Sequence, residues 1–433
     1  MNRGAQAWVA LGWVGFVLLP WHLVPGEWYA FLVGYGAEGP RSAAGLVLTG
    51  RAWWLAPIAL PLLLATWPLI ARHPKDHGAR WLVAAGILGL ALIVAQGFAI
   101  GLRGWSWSFL AALFGAPGPT QAGMGFGAAL TSTAFLFLLC YALAGRGWCR
   151  GDAFVVCAIG SVVALTIVFV FFPVAMILTS ALQNNDGAFA PGEFFAKFLD
   201  RSVWGLDCVT SSLRCGVAWN TLFLAVLVGI GTTALGLAFA LIATRTNMRL
   251  KGTLRVLTIL PIITPPFVIG LALILLFGRS GTVTALLSNW FGIPPSRWIY
   301  GLPGILIAQL LAFTPIAFLV LIGVVQGISP SLEEAAQTMR ARRWTVFATV
   351  SLPLIRPGLA NAFLLGFVES MADFGNPLVL GGNFEVLSTK IFFAVVGAAH
   401  DQSRAAVLSI ILLGFTLAAF TCLLYTSPSP RDS

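Results

Sequence analysis

Two carboxylates stand inside an otherwise apolar stretch of the chain, Glu369 and Asp373, with Asn376 three residues further on. On a helix, residues four apart share a face. A carboxylate within a bilayer is costly and as a rule faces a cavity or a partner, so the pair is a candidate lining for the route of a small cation. The structural alternative is a pair that is protonated, or hydrogen-bonded to adjacent helices. Pro261, Pro265 and Pro266 fall together in another apolar run. Proline removes amide donors and kinks a helix, and membranes tolerate this where neighbours or a water-filled cavity satisfy the freed carbonyls. That run reads as a bent, pathway-lining helix or as a packing kink. Cys208 and Cys215 share one polar loop; on an oxidising side of a membrane they either form a disulfide or remain two thiols. Cys140, Cys149, Cys157 and Cys422 are scattered with no metal-ligand spacing. The chain has no Gly-Lys dipeptide, hence no P-loop, and no H-E-x-x-H among its four histidines. The reading therefore assigns no catalytic residues and no bound cofactor or metal, and energy must come from a partner or a gradient.

The elements that hold these residues are set by composition. Hydrophobic residues make up 58% and charged residues 9% of the 433, with mean hydropathy +0.91. Apolar runs of about 20 residues recur, the length that crosses a bilayer. The expected fold is an all-α polytopic membrane protein with about ten spans, at 8–25, 52–71, 81–101, 124–144, 153–180, 218–244, 256–278, 301–327, 359–380 and 405–424. The first lacks a small-x-small cleavage site and is read as a membrane helix, not a signal peptide. The net charge of +10 is then a topology signal, not a nucleic-acid footprint. With the N-terminus inside, the cytoplasmic segments hold fourteen cations against four acids, and the outer ones ten against eight. This asymmetry satisfies the positive-inside rule, and it puts the stretch 330–358 in the cytoplasm.

That stretch, PSLEEAAQTMRARRWTVFATVSLPLIRPG, reads as a short helix meant to be touched. Ser331 is the expected N-cap, with Glu334 completing a capping box. Leu332, Ala335, Ala336 and Met339 then form one shallow apolar stripe. Arg340, Arg342 and Arg343 are expected towards the end of the helix, where cations suit its dipole.

Glu334-Ala335-Ala336 followed by Val350-Ser351-Leu352-Pro353 resembles the EAA loop of binding-protein-dependent ABC importer permeases. The resemblance implies that Ser331, Leu332, Glu334, Ala335, Ala336, Met339, Arg340, Leu352 and Pro353 form a loop that couples to a cytoplasmic ATPase subunit. One position departs: Arg340 stands where the family usually has Gly. Arg forgoes the turn freedom of Gly, so the helix is expected to continue a little further. The run Leu-Pro-Ile-Ile-Thr-Pro-Pro-Phe at 260–267 resembles iron(III) importer permeases. So do Ala372-Asp373-Phe374-Gly375-Asn376-Pro377 and Leu380-Gly381-Gly382-Asn383-Phe384.

The resemblance covers about 155 to 424. It implies a six-helix permease domain at 152–425, preceded by a Trp-rich four-helix region at 1–151 of unassigned role. It further implies a periplasmic substrate-binding protein and cytoplasmic ATPase subunits as partners, with ATP and Mg on those subunits, ferric iron as substrate and an inner-membrane location in contact with lipid. Polyamine, thiamine, sulfate and phosphonate importers share the fold and loop; a gradient-driven transporter using Glu369 and Asp373 is the reading from another class. Ferric-type permeases often carry a second six-helix half. The abrupt polar tail 426–433 is read as a truncation before such a half, the alternative being a pairing of two copies.

Overall fold

The computed structural model of the chain describes every residue except 1–2, 24–34, 37–38, 71–74, 102–103, 106, 116–122, 185–188, 211–214, 247, 399 and 427–433. The expected tail lies outside the described residues apart from Thr426. The fold is all-α: the strands among the described residues are two two-residue hairpin pairings, Tyr35–Gly36 with Gly39–Pro40 and Ile100–Gly101 with Gly104–Trp105. The chain divides into two compact units, Met1–Ala190 and Pro191–Ser433.

The first unit comprises α1 (Arg3–Val17), α2 (Ala43–Leu48), a 3₁₀ turn (Trp53–Ile58), α3 (Ala59–Ile70), α4 (Lys75–Ala99), α5 (Ser108–Phe114), α6 (Phe126–Gly145), α7 (Ala153–Thr166) and, after a π-turn, α8 (Phe172–Ser180). The sequence joins 153–180 to the permease core, yet by contact this segment belongs with the first unit, packed on α6. Helix α1 crosses α6 closely because both faces are small. A β-carbon at Gly127 would come 2.6 Å from the carbonyl oxygen of Gly15, and the Thr131 hydroxyl donates to the Gly127 carbonyl at 2.8 Å.

The second unit comprises α9 (Pro191–Phe198), α10 (Arg201–Trp204), α11 (Asp207–Thr210), α12 (Val217–Arg245), α13 (Lys251–Ile259), a 3₁₀ turn (Leu260–Ile263), α14 (Pro266–Phe277), α15 (Thr282–Phe291), α16 (Leu302–Gly327), α17 (Pro330–Thr338), α18 (Arg343–Val346), a π-turn (Phe347–Ser351), α19 (Leu352–Ala372), α20 (Gly375–Leu380), α21 (Leu387–Val396) and α22 (Gln402–Thr426). Its core is α12 against α16 and α19, with Leu224, Val228, Ala240, Phe318, Leu321 and Ile355 buried between them. Without a hydrophobic drive between helices in lipid, association rests on close backbone approach at small residues. A β-carbon at Gly366 would meet the Thr232 hydroxyl and come 3.3 Å from the Cα of Gly229.

Among the described residues eight helices are long and apolar enough to cross a bilayer, against the ten expected. The two shortfalls are physical. The span expected at 8–25 is the 15-residue α1, about 22 Å at 1.5 Å per residue. It stops before Pro20, a residue type that disfavours helix just ahead of itself; Pro20 instead bridges Ser42. The span at 52–71 opens as a 3₁₀ turn containing Pro57, leaving a shorter apolar helix over Trp53–Pro68. Two further boundaries moved. The span expected at 359–380 runs as one helical path over Arg343–Ala372 and is interrupted at Asp373, so residues 343–358 of the expected loop belong to that path. The span expected at 256–278 is broken at its prolines.

Candidate coupling loop and intramembrane polar site

The short helix predicted in the loop exists as α17, with different caps. It starts at Pro330, with Ser329 as N-cap. Proline suits the first helical position because its missing N–H would be unpaired there anyway, and this moves the start ahead of Ser331. The predicted capping box of Ser331 and Glu334 is therefore absent. The N-cap side chain makes no capping bond, and the Ser329 and Ser331 hydroxyls share a hydrogen bond of 2.7 Å instead.

Nor does the helix continue past Arg340. It ends at Thr338, and Arg340 takes φ +63°, the left-handed conformation that Gly would supply more cheaply. The arginine thus adopts the glycine turn without being glycine. Arg342 caps α18 and Arg343 opens it, so the three cations surround the turn and do not line the end of α17.

Of the predicted stripe, Leu332, Ala335 and Met339 are exposed and Ala336 is half-buried. Met339 is 82% exposed, and Trp344 on α18 75%. Leu352 and Pro353 form the first turn of α19, entered from a π-turn without a break in helical backbone.

Sequence reasoning missed Glu333, whose carboxylate is the polar anchor of α17. Its Oε1 lies 3.0 Å from Arg245 Nη2 at the end of α12 and accepts the Ser351 hydroxyl at 2.8 Å. A cavity of about 490 Å³ opens between these elements, lined by Ile242, Arg245, Ile328, Glu333, Gln337 and Ile355 among others. The available signal was periodicity: Glu333 sits one position off the apolar stripe, and Arg245 is the last residue of a 29-residue helix.

The other predicted site is assembled around a helix break. Glu369 lies on α19, but the helix ends at Ala372 and Asp373 is its C-cap at φ −67°, ψ 117°. The Asp373 N–H still bonds the Glu369 carbonyl at 2.9 Å, so Asp373 closes the face of Glu369, whereas Asn376 lies beyond the break and does not continue it as the spacing had predicted. Asp373 is 8% exposed and Asn376 fully buried. The Asp373 carboxylate accepts Gln309 Nε2 at 2.8 Å, Asn376 Nδ2 at 2.9 Å and the Asn376 backbone N–H at 3.3 Å. The Ser370 hydroxyl donates to Gln309 Oε1 at 2.7 Å, and the Ser388 hydroxyl to the Asp373 carbonyl at 2.8 Å. Gln309, Ser370 and Ser388 were not singled out in the sequence; the signal was Gln309, an amide midway along the apolar run of α16. The Glu369 side chain is half-buried and makes no hydrogen bond or ion pair among the described residues.

The proline-rich segment meets this break. The chain leaves α13 through the 3₁₀ turn containing Pro261, passes extended through Thr264 and Pro265, and re-enters helix at Pro266. The Thr264 hydroxyl donates to the Pro261 carbonyl at 2.8 Å, satisfying one freed acceptor. Helix α14 then packs on α20. A β-carbon at Gly270 would come 2.9 Å from Asn376 Oδ1, and one at Gly375 2.8 Å from the Cβ of Phe267. Asn376 Oδ1 is enclosed there with no hydrogen-bond partner among the described residues. Two interruptions read separately in the sequence are thus one place in the fold.

Cys208 and Cys215 are paired in the structure, with Cα atoms 4.9 Å apart. Among the described residues no group of three or more His, Cys, Asp or Glu side chains has the arrangement of a metal site.

Comparison with known proteins bears on the whole of the second unit. The profile of the family described as "Binding-protein-dependent transport system inner membrane component" matches residues 217–431. Over 297 residues the chain is 41% identical to the "Putative ferric transport system permease protein FbpB 1" of Haemophilus influenzae, covering 69% of this chain and 45% of that protein. It is 41% identical over the same length to the "Ferric transport system permease protein FbpB" of Actinobacillus pleuropneumoniae, covering 42% of that protein. The chain thus spans less than half the length of these ferric relatives. It is 30% identical over 199 residues to the "Molybdenum transport system permease protein ModB" of Azotobacter vinelandii, covering 45% of this chain and 87% of that protein. A crystal structure of a bacterial alginate ABC transporter, in complex with its alginate pentasaccharide-bound periplasmic protein, matches 66% of this chain and 94% of that chain. Its TM-score is 0.51 at 16% identity, a likeness of fold alone. With its EAA-type loop joining two long apolar helices, and its match to a molybdenum permease along nearly that protein's whole length, the chain belongs to the binding-protein-dependent transport system inner membrane component family, the permeases of ABC importers.

Proposed function

We propose that this chain is a permease portion of an ABC importer for ferric iron, taking the ion from a periplasmic binding protein and passing it to the cytoplasm. The observation that carries the reading is the 41% identity over 297 residues to two ferric transport permeases. The chain carries no bond-making chemistry. Cytoplasmic ATPase subunits, holding ATP and Mg, dock on α17 and its exposed Leu332, Ala335 and Met339, and their closure moves the helices on either side. A second permease half, in the same chain or another copy, completes the pathway, and the N-terminus lies in the cytoplasm with the cation-rich loops. The pathway passes the joined interruptions at Pro261 to Pro266 and Asp373 to Asn376. Glu369, half-buried and uncommitted, is the side chain available to a passing cation, whereas Asp373 is occupied by Gln309 and Asn376 and positions the break.

A second substrate reading follows from the 30% identity to a molybdenum permease: an oxyanion in place of a cation. Uptake of radiolabelled iron into proteoliposomes holding the complete transporter, with ferric-loaded binding protein outside and ATP inside, separates the two. ATP-dependent uptake of ⁵⁵Fe that a hundredfold excess of molybdate leaves unchanged is the expected result. Uptake of molybdate without iron would overturn it.

A further inference from the structure

Helix α17 borders a cavity that it shares with α12 and the entry to α19. It packs on α18 and the π-turn before α19, and together with the apolar flanks of α12 and α19, Leu241, Ile242 and Ile355 among them, it lines a cavity of about 490 Å³. One polar side chain joins its walls. Glu333 Oε1 meets Arg245 Nη2 at 3.0 Å and the Ser351 hydroxyl at 2.8 Å. Arg245 is the last residue of α12, where a cation also suits the helix dipole. Ser351 is the last residue of the π-turn and is buried. The carboxylate therefore joins three elements: α17, the end of α12 and the entry to α19. Both charged side chains remain partly open, at 29% and 20% exposure. A pair so reachable by water adds little to stability, but its charge-assisted geometry still fixes direction.

We infer that the Glu333–Arg245–Ser351 clasp is the positioning contact that delivers displacement of α17 to α12 as well as to α19. The inference rests on α17 being the ATPase dock. Without the clasp, α17 acts on the core through its chain ends, on α16 and α18, and its packing on the π-turn before α19. With it, α12 moves too, and α12 and α19 are the two helices that cross at Gly229 and Gly366. Glu333 acts here through Arg245 and touches no substrate.

The experiment uses the complete transporter in proteoliposomes, reading three quantities: ATPase co-purified per permease, ATP hydrolysed, and solute imported per ATP. Glu333→Gln and Arg245→Glu each break the ion pair. Both should retain the ATPase at wild-type stoichiometry while imported solute per ATP falls by about fivefold or more, the low end of ordinary coupling factors. The swap of Glu333→Arg with Arg245→Glu restores an ion pair of reversed sense and should recover most of the lost coupling. Recovery in the swap is the readout that a merely structural role would not give. Unchanged import per ATP in both single variants overturns the clasp, as does a swap no better than its parents. Loss of the ATPase in Glu333→Gln also overturns it, because Glu333 would then belong to the dock itself. Ala336→Trp keeps the two readings apart: retention of the ATPase there ends the docking assignment by itself, whatever the clasp variants do.

Discussion

Asp373 shows how a single side chain can change role once its neighbours are known. Four-residue spacing places it on the face of Glu369, and the helix stops at Asp373 itself, just ahead of Gly375 and Asn376-Pro377. What stops it is a set of side-chain bonds: Gln309 and Asn376 both donate to the Asp373 carboxylate, and the next residues turn into α20. Replacing Asp373 with Ala leaves the Gln309 and Asn376 amides enclosed without their acceptor. A buried group so stranded costs about 1–3 kcal/mol, so the purified protein should melt at a lower temperature. Combining Asp373→Ala with Gln309→Leu should cost less than the two changes summed, because the second removes a group the first stranded. Glu369→Gln should behave in the opposite way. Its melting temperature should match the wild type, while iron uptake per inserted protein falls, since a fixed charge that offsets part of the ion's desolvation has gone. Equal uptake in Glu369→Gln would remove the last carboxylate from the proposed route.

Among the elements, helices with long uniform runs were readable from hydropathy, and those shaped by a single turn were not. The long α12 and α16 appear close to their expected bounds because 29 and 26 residues of apolar sequence leave the backbone no other partner than itself. The three-proline segment was correctly read as bent. Its packing against α20 was invisible, since it depends on Gly270 and Gly375 leaving room for Asn376 and Phe267. At α17 the presence of a short helix was readable and its caps were not, because a Pro at the first position outweighed the better-placed Ser331. The exposed stripe is the part of this element with a consequence for assembly. Ala336→Trp puts a bulky ring where a shallow, half-buried methyl now lies. The variant should insert normally in the membrane and lose capture of the ATPase subunit in pull-down, by tenfold or more, which is the effect of about 1.4 kcal/mol.

For the molecule as a whole, composition was enough to point to a polytopic helical membrane protein, and a short motif was enough to point to its family. The division into units was not readable. Apolar sequence is equally compatible with packing on either side, and the helical path 153–180, read as the first span of the permease domain, makes its contacts with α6. The segment holding Cys208 and Cys215 offers a direct check on its local structure. With Cys208 and Cys215 bonded, alkylation without reductant should label neither, and treatment with reductant should make both available, as read by mass spectrometry. The path 153–180 carries one further consequence. It is the most apolar of the eight, with mean hydropathy 2.8, and 6% of its most apolar window is buried within the chain. Its 28 residues thus owe little to neighbouring side chains and almost everything to the solvent around them. When the protein is extracted from the bilayer, this segment should be the first to register the change. Hydrogen–deuterium exchange in a short-chain detergent should rise there before it rises in α16, 61% of whose window is buried, and returning the protein to lipid nanodiscs should slow it again.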